Sequence, residues 1–286
     1  MNDKINNGMG DHRKGVVYLA FGNAYLAMAL TSLVSLRQLH PDMPVCIITN
    51  VCEEPRDILI EQNLSHHLRW EFVSAGNEAN RQFKTRLDRY TPFEKTVFLD
   101  CDTLVFADIS DLFYYLEYFD VACVQRTHAQ VKPGKGDIKI LEDRTVSDLP
   151  HWNSGVIAFR NTTNAAEFFE EWNKAHNRIG APVDQVSLVE AVFLSNTRFL
   201  SLDKRWNFQG TARNRAPSGA KIVHYTPGLT RDVADRIAHF DQRITAFTGH
   251  SDGTTEVYLR DKLAKQKRKD RKRRTRWLRD LVRKFR

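Results

Sequence analysis

The sequence predicts an α/β fold, in which a mostly parallel sheet carries helices on both faces and a basic helical tail follows. Short apolar runs alternate with stretches of helical spacing over residues 15–100, as they do in parallel βαβ units. Two aspartates directly follow one of the apolar runs, and Lys and Arg are concentrated in the last 25 residues. The alternation predicts the sheet, the aspartates a ligand site at its edge, and the basic residues the tail.

The first half of the chain shows the clearest alternation. Residues 15–22, GVVYLAFG, form an apolar run that predicts a buried strand. Over residues 23–41 leucines recur at helical spacing, and Pro41 lies beyond the predicted helix end. Further strands are predicted at 44–50, at 68–73 and in the run that ends at Asp100, with helices at 54–63 and 79–90.

The second half is less regular. Residues 108–119 predict a short helix with a polar start, and residues 120–125 predict a strand. Residues 126–150 are polar and contain KPGKGD, which is long for a structureless loop, so we predict a mobile lid there. The remaining predicted elements are a strand at 153–161, helices at 164–177 and 184–194, and a last core strand at 220–226.

Length and charge predict the organisation of the chain. Its 286 residues allow one large or two small domains, and 42% hydrophobic residues can form a sizeable core. The net charge is +8, but residues 262–286 carry +12 and the rest of the chain carries −4. This asymmetry predicts a tail that meets an anionic surface. We therefore expect a polar leader (1–14), a body (15–250) and a basic amphipathic tail (251–286).

Cysteine usage and hydropathy predict the compartment. Cys46, Cys52, Cys101 and Cys123 form no CxxC pair, so we interpret them as reduced core thiols and not as disulfide or zinc cysteines. The leader has no apolar segment of the kind that a signal peptide carries. No run approaches the roughly 18 apolar residues of a membrane span. We expect a cytoplasmic protein, either free or peripheral at the inner face of a membrane.

The end of the tail, WLRDLVRKF, combines an apolar stripe with Arg and Lys, a pattern typical of helices that lie on an anionic membrane surface. The residues of the stripe are Trp277, Leu278, Leu281, Val282 and Phe285. A basic helix packed on the body is the alternative interpretation. Nucleic-acid binding is disfavoured, because no motif that reads nucleic acid accompanies the charge.

Asp100 and Asp102 stand between two apolar runs, in KTVFLDCDTLVF. In an extended segment, residues two apart point the same way, so both carboxylates are expected to face one point at the end of a parallel strand, where ligands bind in open α/β sheets. Two such carboxylates repel unless a cation joins them, and a divalent ion shared with phosphate oxygens fits. An Asp pair that caps the next helix is the alternative, but Asp108, Ser110 and Asp111 are better placed as caps.

The segment FLDCDTLV resembles the DxD strand of GT-A glycosyltransferases, and in particular of glycosyltransferase family 8, the retaining glycogenin-like and galactosyltransferase-like enzymes. Four further segments resemble this family in its order over residues 16–228. They are YLAFGNAYLAMALTSLVSL, WNSGVIAFRN, PVDQVSL and KIVHYTPG. The resemblance implies a Rossmann-like GT-A fold and transfer of a sugar from a nucleotide donor.

The resemblance also implies a metal site. Asp100, Asp102 and His224 would hold Mn²⁺ (or Mg²⁺), which bridges the two phosphates of a nucleotide-sugar. A His donor beside carboxylates favours Mn²⁺. The alternative for His224 is a core imidazole.

Donor contacts are implied at three further places. Phe21, Gly22, Asn23 and Tyr25 correspond to the loop that touches the nucleotide, although Tyr25 could equally belong to the core. Either Lys84 or Arg86 corresponds to a basic residue near phosphate and sugar, and the sequence leaves that choice open. Asn153 and Ser154 would contact donor-sugar hydroxyls, Asp184 would bind sugar hydroxyls, and Gln185 would lie beside the reacting carbon.

The chain departs from the family after the histidine. Family members often continue to Lys-Pro-Trp, whose Lys touches the diphosphate, whereas this chain reads HYTPGLTRD. Arg231 is the predicted substitute.

The resemblance predicts a metal-dependent transferase that moves a hexose from a UDP-sugar to a glycan or lipid-linked acceptor with retention, with cell-surface glycan synthesis as one setting. A sugar nucleotidyltransferase is the first alternative, but FGNAYLAM lacks its Gly-rich basic loop. A non-catalytic nucleotide-sugar or membrane-binding protein is the second. Deleting residues 262–286 is expected to release the chain from anionic vesicles and to leave UDP binding intact.

Overall fold

A computed structural model describes residues 13–76, 80–126, 139–141, 144–145, 148–179, 184–212, 219–251 and 253–284. Its main sheet has seven strands, which we number along the chain. Across the sheet they are β10 (Phe199–Leu202), β6 (Val121–Arg126), β9 (His151–Arg160), β4 (Lys95–Leu99), β1 (Lys14–Ala20), β2 (Val45–Thr49) and β3 (Leu68–Phe72). The four strands from β4 to β3 are parallel, as is the β6–β10 pair, whereas β9 runs antiparallel to β4 and β6. The prediction of a mostly parallel sheet is confirmed.

Helices pack on both faces of this sheet. They are α1 (Asn23–Leu39), α2 (Arg56–Glu61), α3 (Asn80–Lys84), α4 (Ser110–Tyr115), α5 (Thr163–Ile179), α6 (Asp184–Leu194), α7 (Arg231–Thr248) and α8 (Thr254–Lys284). Along β1, Val16 and Tyr18 join a core that includes residues of α1 and α7. Val17 and Leu19 point the other way, into a core that includes residues of α5 and α6. Strand alternation thus gives one sheet two apolar faces, each covered by helices.

The predicted helix over 79–90 is interrupted. The helix α3 ends at Lys84, and a separate 3-10 turn follows at Leu87–Arg89. The hydroxyl of Thr85 donates to the carbonyl oxygen of Gln82 at 2.8 Å, and Arg86 leaves helical geometry with φ −138°. A threonine that bonds to the preceding turn competes with helix propagation, which accounts for the break.

A second, three-stranded sheet lies beside the main one. It contains β11 (Phe208–Ala212), β12 (Ile222–Leu229) and β5 (Thr103–Val105), with β12 parallel to β11 and antiparallel to β5. The prediction of a core strand at 220–226 is confirmed, since Ile222 and Tyr225 belong to the main core. The strand lies in the second sheet, where it pairs with the short β5 that directly follows the two aspartates.

Two predicted segments are described only in part. Within the predicted lid, β7 (Lys139–Leu141) and β8 (Arg144–Thr145) form an antiparallel pair, and the rest of 127–147 lies outside the described residues. Residues 1–12 of the predicted leader also lie outside them. The lid and the domain boundaries at 14 and 250 stay predictions.

The C-terminal tail begins as a packed helix. Helix α8 spans 31 residues, and Tyr258, Leu259 and Leu263 pack against the main core. The hydroxyl of Thr255 donates to Asp241 of α7 at 2.5 Å and fixes the start of the helix. In the part of the chain that the structure describes, no helix is both long enough and apolar enough to cross a membrane.

All four cysteines are described and none is paired. Cys46, Cys101 and Cys123 are buried, and Cys52 is exposed. Burial raises the pKa of Cys46 to about 12, so this thiol stays protonated. The interpretation as core thiols is confirmed for the three buried cysteines and is wrong for Cys52.

Candidate active site

A cavity of about 400 Å³ opens at the carboxyl ends of β1 and β4. The chain leaves β4 at Leu99, and Asp100 and Asp102 both line the cavity. The cavity thus lies where the ends of parallel strands place ligands in open α/β sheets.

The two aspartates lie in a turn, so the prediction of an extended segment is wrong. The amide of Thr103 donates to the carbonyl oxygen of Asp100 at 3.1 Å, which closes a four-residue turn. Between the carboxylates, the thiol of Cys101 donates to the carbonyl oxygen of Leu19 at 2.9 Å. The turn is needed because β4 belongs to the main sheet and β5 to the second. It still brings both carboxylates to one cavity.

The strand β12 brings His224 to the same point. His224 is opposite Thr103 in the antiparallel β5–β12 pair, and its Nε2 atom lies 3.0 Å from Oδ1 of Asp102 and 3.9 Å from Oδ2 of Asp100. One ligand atom from each of the three residues falls within 4.8 Å of the others. The three predicted metal ligands are thus assembled.

The imidazole of His224 is held by a neighbour that sequence reasoning missed. Its Nδ1 atom lies 3.1 Å from Oδ1 of the buried Asn207. Since an amide oxygen only accepts, Nδ1 donates to it, and Nε2 faces the carboxylates. Burial lowers the pKa of His224, but the negative charges of Asp102 and Asp100 outweigh burial and raise it.

Gly155 makes room for this cluster. A Cβ atom at this position would lie 2.6 Å from the His224 ring and 2.9 Å from Oδ2 of Asp100. The carbonyl oxygen of Gly155 also accepts the amide of Asp100 at 2.8 Å. Glycine is needed here because the backbone approaches the side chains of His224 and Asp100 closely. The sequence pattern marked the adjacent Asn153 and Ser154, and no role was predicted for Gly155.

Lys84 adds a buried cation to the site. Its Nζ atom lies 2.6 Å from Oδ1 of Asp100 and 3.7 Å from Oδ2 of Asp184. Burial lowers the pKa of Lys84, but the two carboxylates outweigh burial and raise it, so the lysine is charged. Of the two basic residues that the sequence left open, Lys84 lines the cavity. Arg86 lies instead over the ring of Phe83, at 5.4 Å from its centroid.

Asp184 begins α6 and accepts a 2.5 Å hydrogen bond from the hydroxyl of Ser154. Burial raises the pKa of Asp184, but Lys84 and the Ser154 hydrogen bond outweigh burial and lower it, so the carboxylate is ionised. Asn153 accepts the amide of Gly155 at 2.8 Å, and its buried Nδ2 atom has no partner among the described residues. Ser154 and Asp184 thus form one buried polar pair beside Lys84. Asn153 and Ser154 do not belong to the cavity lining, so their contact with a donor sugar stays a prediction.

Gln185 lines the cavity next to Asp184, and a residue that the sequence did not single out positions it. Arg126, at the end of β6, donates to Oε1 of Gln185 at 2.6 Å and to Oε1 of Gln209 at 3.2 Å. Arg126 falls at the start of the segment that we had interpreted as a polar loop, which hid its role.

The predicted nucleotide contacts divide into two groups. Tyr25 lines the cavity. Phe21 is buried edge-on against Phe83, the amide of Gly22 donates to Asn50, and Asn23 donates to the carbonyl oxygen of His250. Phe21, Gly22 and Asn23 thus contact other parts of the chain and do not line the cavity, so their contact with a nucleotide stays a prediction.

Arg231 does not line the cavity either. Its side chain is 86% exposed at the start of α7, where it lies 3.8 Å from Asp235. The helix α8 instead contributes Tyr258 and Lys262 to the lining. No local signal marks these two residues in the sequence, because they lie far along the chain from the aspartates and look like ordinary positions of a basic helix.

The residues present fit a divalent cation. Two carboxylates and an imidazole converge, a buried amide orients the imidazole, and a glycine makes the close approach possible. This is the donor set and the outer support that protein metal sites use. A divalent cation held there would, together with Lys84, offset the carboxylates and supply positive charge for a phosphorylated ligand.

The profile of glycosyl transferase family 8 matches residues 16–229. Comparison with curated protein sequences found no significant match.

Solved structures share the fold at low sequence identity. LgtC, a galactosyltransferase solved with donor and acceptor sugar analogues, has a TM-score of 0.55 and 17% identity, over 86% of this chain and 100% of that chain. The glycosyltransferase GlyE of Streptococcus pneumoniae has a TM-score of 0.51 and 16% identity, over 87% of this chain and 63% of that chain. Mouse xyloside xylosyltransferase 1 has a TM-score of 0.50 and 12% identity, over 74% of this chain and 97% of that chain. Because the family profile covers most of the sequence and these structures share its architecture, the chain belongs to glycosyl transferase family 8 and is a glycosyltransferase of the GT-A fold.

Proposed function

We propose that the protein is a metal-dependent hexosyltransferase that moves a hexose from a UDP-sugar to a glycan or lipid-linked acceptor, with cell-surface glycan synthesis as one setting. The observation that carries this proposal is the convergence of Asp100, Asp102 and His224 beside the buried Lys84. Family membership supports sugar transfer, and the donor and acceptor sugar analogues bound to LgtC support a sugar donor and a sugar acceptor.

Asp100, Asp102 and His224 are the proposed metal ligands. A divalent cation, when bound, supplies positive charge beside the departing diphosphate. The imidazole in the donor set favours Mn²⁺ over Mg²⁺. Asp100 uses Oδ1 for Lys84, and its Oδ2 faces His224, so the two oxygens serve different partners.

The donor sugar is proposed to bind between Lys84 and the start of α6. The ionised carboxylate of Asp184 accepts hydrogen bonds from sugar hydroxyls, and Asn153 offers its unpartnered amide as a donor. Gln185, held by Arg126, lies beside the reacting carbon. These groups are fixed by hydrogen bonds before a substrate arrives, which lowers the cost of orienting it.

Retention of the anomeric configuration is proposed from family membership. NMR of the first-formed product tests it, because mutarotation has not yet mixed the anomers. A product with the same anomeric configuration as the donor supports retention, and an inverted product contradicts it.

Binding of UDP-sugars tests the donor class. In a thermal-shift panel of sugar nucleotides, we expect UDP-sugars with Mn²⁺ to raise the midpoint of unfolding by roughly 5 °C at about 100 times Kd. Asp102→Asn should abolish the shift, whereas the control Asp232→Asn, at an exposed position on α7, should keep it. Stabilisation that needs no metal contradicts the proposal, and so does stabilisation by nucleoside triphosphates alone, as a nucleotidyltransferase would show.

Transfer separates an enzyme from a binding protein. Slow hydrolysis of a bound UDP-sugar, or transfer to an acceptor panel, is expected with Mn²⁺ and should be lost in Asp184→Asn. Tight UDP-sugar binding with neither activity favours the non-catalytic alternative.

We also propose that residues 267–286 hold the protein peripherally on an anionic membrane. Their excess of Lys and Arg over two Asp, and the apolar stripe at the end, support this. The truncation must begin after residue 266, because Lys262 lines the cavity. A chain that ends at residue 266 should stop sedimenting with phosphatidylglycerol vesicles and should bind UDP normally. Unchanged vesicle binding contradicts the membrane proposal.

A further inference from the structure

The first turns of α8 form one wall of the donor cavity. Tyr258 and Lys262, four residues apart on one face of the helix, both line it. Neighbouring positions fix this part of the helix, because Leu259 and Leu263 pack against the core and Thr255 is bonded to Asp241. Lys262 is therefore held at the cavity by the fold, and is distinct from the exposed lysines farther along the helix.

Two lysines lie on different sides of the cluster of Asp100, Asp102 and His224, which we call the metal-site cluster. Lys84 contacts Asp100 and Asp184 directly. Lys262 reaches the cavity from α8, which packs along β12, and the amide of Tyr225 on β12 donates to the carbonyl oxygen of Asp102 at 3.0 Å. Burial lowers the pKa of Lys262, and the charge of Asp102 opposes this. The cluster is thus flanked by one cation on the Asp184 side and by another on the Asp102 side.

The Asp102 side also gathers aromatic rings. Tyr25 and Tyr258 line the cavity, and the negative charge of Asp102 contributes to the raised pKa of each. The ammonium group of Lys262 lies 5.1 Å from the centroid of the Tyr258 ring, a cation–π distance that keeps the lysine stem against the helix. A lysine beside aromatic rings fits a nucleotide better than a neutral sugar, because the ammonium group can bind phosphate and the rings can contact the base.

We propose that Lys262 is a donor-binding residue, whose ammonium group binds a diphosphate oxygen of the nucleotide-sugar on the Asp102 side of the cluster. This inference rests on the proposed function. The sugar end of the donor then lies toward Lys84 and Asp184, and the leaving nucleoside diphosphate lies toward α8. Arg231, at the exposed start of α7, takes no part.

The test measures binding of UDP with Mn²⁺ by calorimetry, and of uridine as a probe without phosphate, in four chains. Lys262→Met removes the charge and keeps the stem, and we expect it to weaken UDP binding about tenfold or more. Lys262→Arg should bind within about threefold of the wild type, since it restores a cation. The control Lys265→Met, at an exposed position one turn away, should bind UDP normally. Uridine should bind all four chains alike.

The outcomes are distinguishable. If the wild type binds no UDP, the proposed function fails and this inference fails with it. If the wild type binds UDP and Lys262→Met binds it equally well, the inference alone is overturned. If Lys262→Met loses UDP and uridine in the same proportion, the lysine supports the cavity wall and does not bind phosphate, which also overturns it.

Discussion

The Nζ atom of Lys84 lies 2.6 Å from Oδ1 of Asp100, and this buried ion pair connects the metal-site cluster to the proposed sugar site. Lys84 also reaches Asp184, at 3.7 Å, so one cation compensates two buried carboxylates. Lys84 is thus a counter-charge that Asp100 and Asp184 share, and the imidazole of His224 lies near Asp100 as well.

Removing that cation should destabilise the fold. Lys84→Met leaves two buried carboxylates without their main counter-charge, and we expect a loss of about 3 kcal/mol in the free energy of unfolding. Urea denaturation at pH 7.5 measures it. The control Lys174→Met removes an exposed lysine paired with Glu170 and Glu171, and should change stability by less than about 0.5 kcal/mol. Equal losses in the two variants would contradict the compensation that we describe.

A methyl group at Gly155 should damage the metal site. Gly155→Ala places a Cβ 2.6 Å from the His224 ring, so the imidazole or the Asp100 carboxylate must shift. We expect Mn²⁺ affinity to fall at least tenfold and stability to fall by about 1–3 kcal/mol. The loss of the free Mn²⁺ signal in electron paramagnetic resonance reports binding. Gly76→Ala is the control, since a Cβ there meets nothing within 4 Å. Wild-type affinity in Gly155→Ala would refute this account.

The amide of Asn207 should matter through His224. Asn207→Leu removes the acceptor for Nδ1, frees the ring to rotate or change tautomer, and should lower Mn²⁺ affinity about 10–100-fold. Asn207→Asp keeps an oxygen in place and should retain more of the affinity than the leucine variant. The same Mn²⁺ titration measures both, with circular dichroism as the check on folding. If the two variants bind alike, Asn207 does not orient the ring.

Asp120 should be a major source of stability away from the site. Its fully buried carboxylate accepts hydrogen bonds from Arg198 and Arg160, which ties the start of β6 to β9 and to the residue before β10. Burial raises the pKa of Asp120, but these bonds outweigh burial and hold it well below the ordinary value, so the contribution is present at neutral pH and lost in acid. Asp120→Ala should cost about 3 kcal/mol at pH 7 in urea denaturation, with UDP affinity unchanged. A cost below 1 kcal/mol would contradict this.

Asp88 should show the opposite pH dependence. Burial raises its pKa to about 6, and one carboxylate oxygen has no hydrogen-bond partner among the described residues. Between about pH 4 and 6 the unfolded chain loses this proton while the folded chain keeps it, so stability falls as pH rises through that window. Asp88→Asn should therefore be more stable than the wild type by about 1 kcal/mol at pH 7.5, after allowance for partial exposure. The gain should be largely absent at pH 4.5, and an equal gain at both values would show another cause.

The alternation of the first hundred residues was sufficient to predict β1 to β4, because β1, β2 and β4 are almost wholly buried and apolar on both faces. The helices α1 and α2 were predicted with them, whereas the helix predicted over 79–90 is interrupted. The clustering of Asp100, Asp102 and His224 could likewise be predicted, since all three stand in segments that resemble the family's patterns. The strand β10 was missed because FLSL is short and lies at the sheet edge, where little of its side-chain surface is buried.

Contacts between distant segments could not be predicted. The strands β5 and β12 form their own sheet, and this follows from pairing across more than a hundred residues, which local patterns do not encode. The geometry of Asp100 and Asp102 was predicted wrongly for the same reason, because the turn is imposed by the passage from one sheet to the other. Tyr258 and Lys262 reach the cavity only through the packing of α8 on the body.

The unbroken course of α8 sets a geometric rule for the end of the chain. At 1.5 Å per residue, the helix carries Lys284 about 33 Å beyond Lys262 along a common axis. Each residue added between them would turn the outer segment by about 100° about that axis, without altering charge or composition. The direction in which the outer half presents its surface, relative to the mouth of the cavity, is thus encoded in the number of residues that separate them.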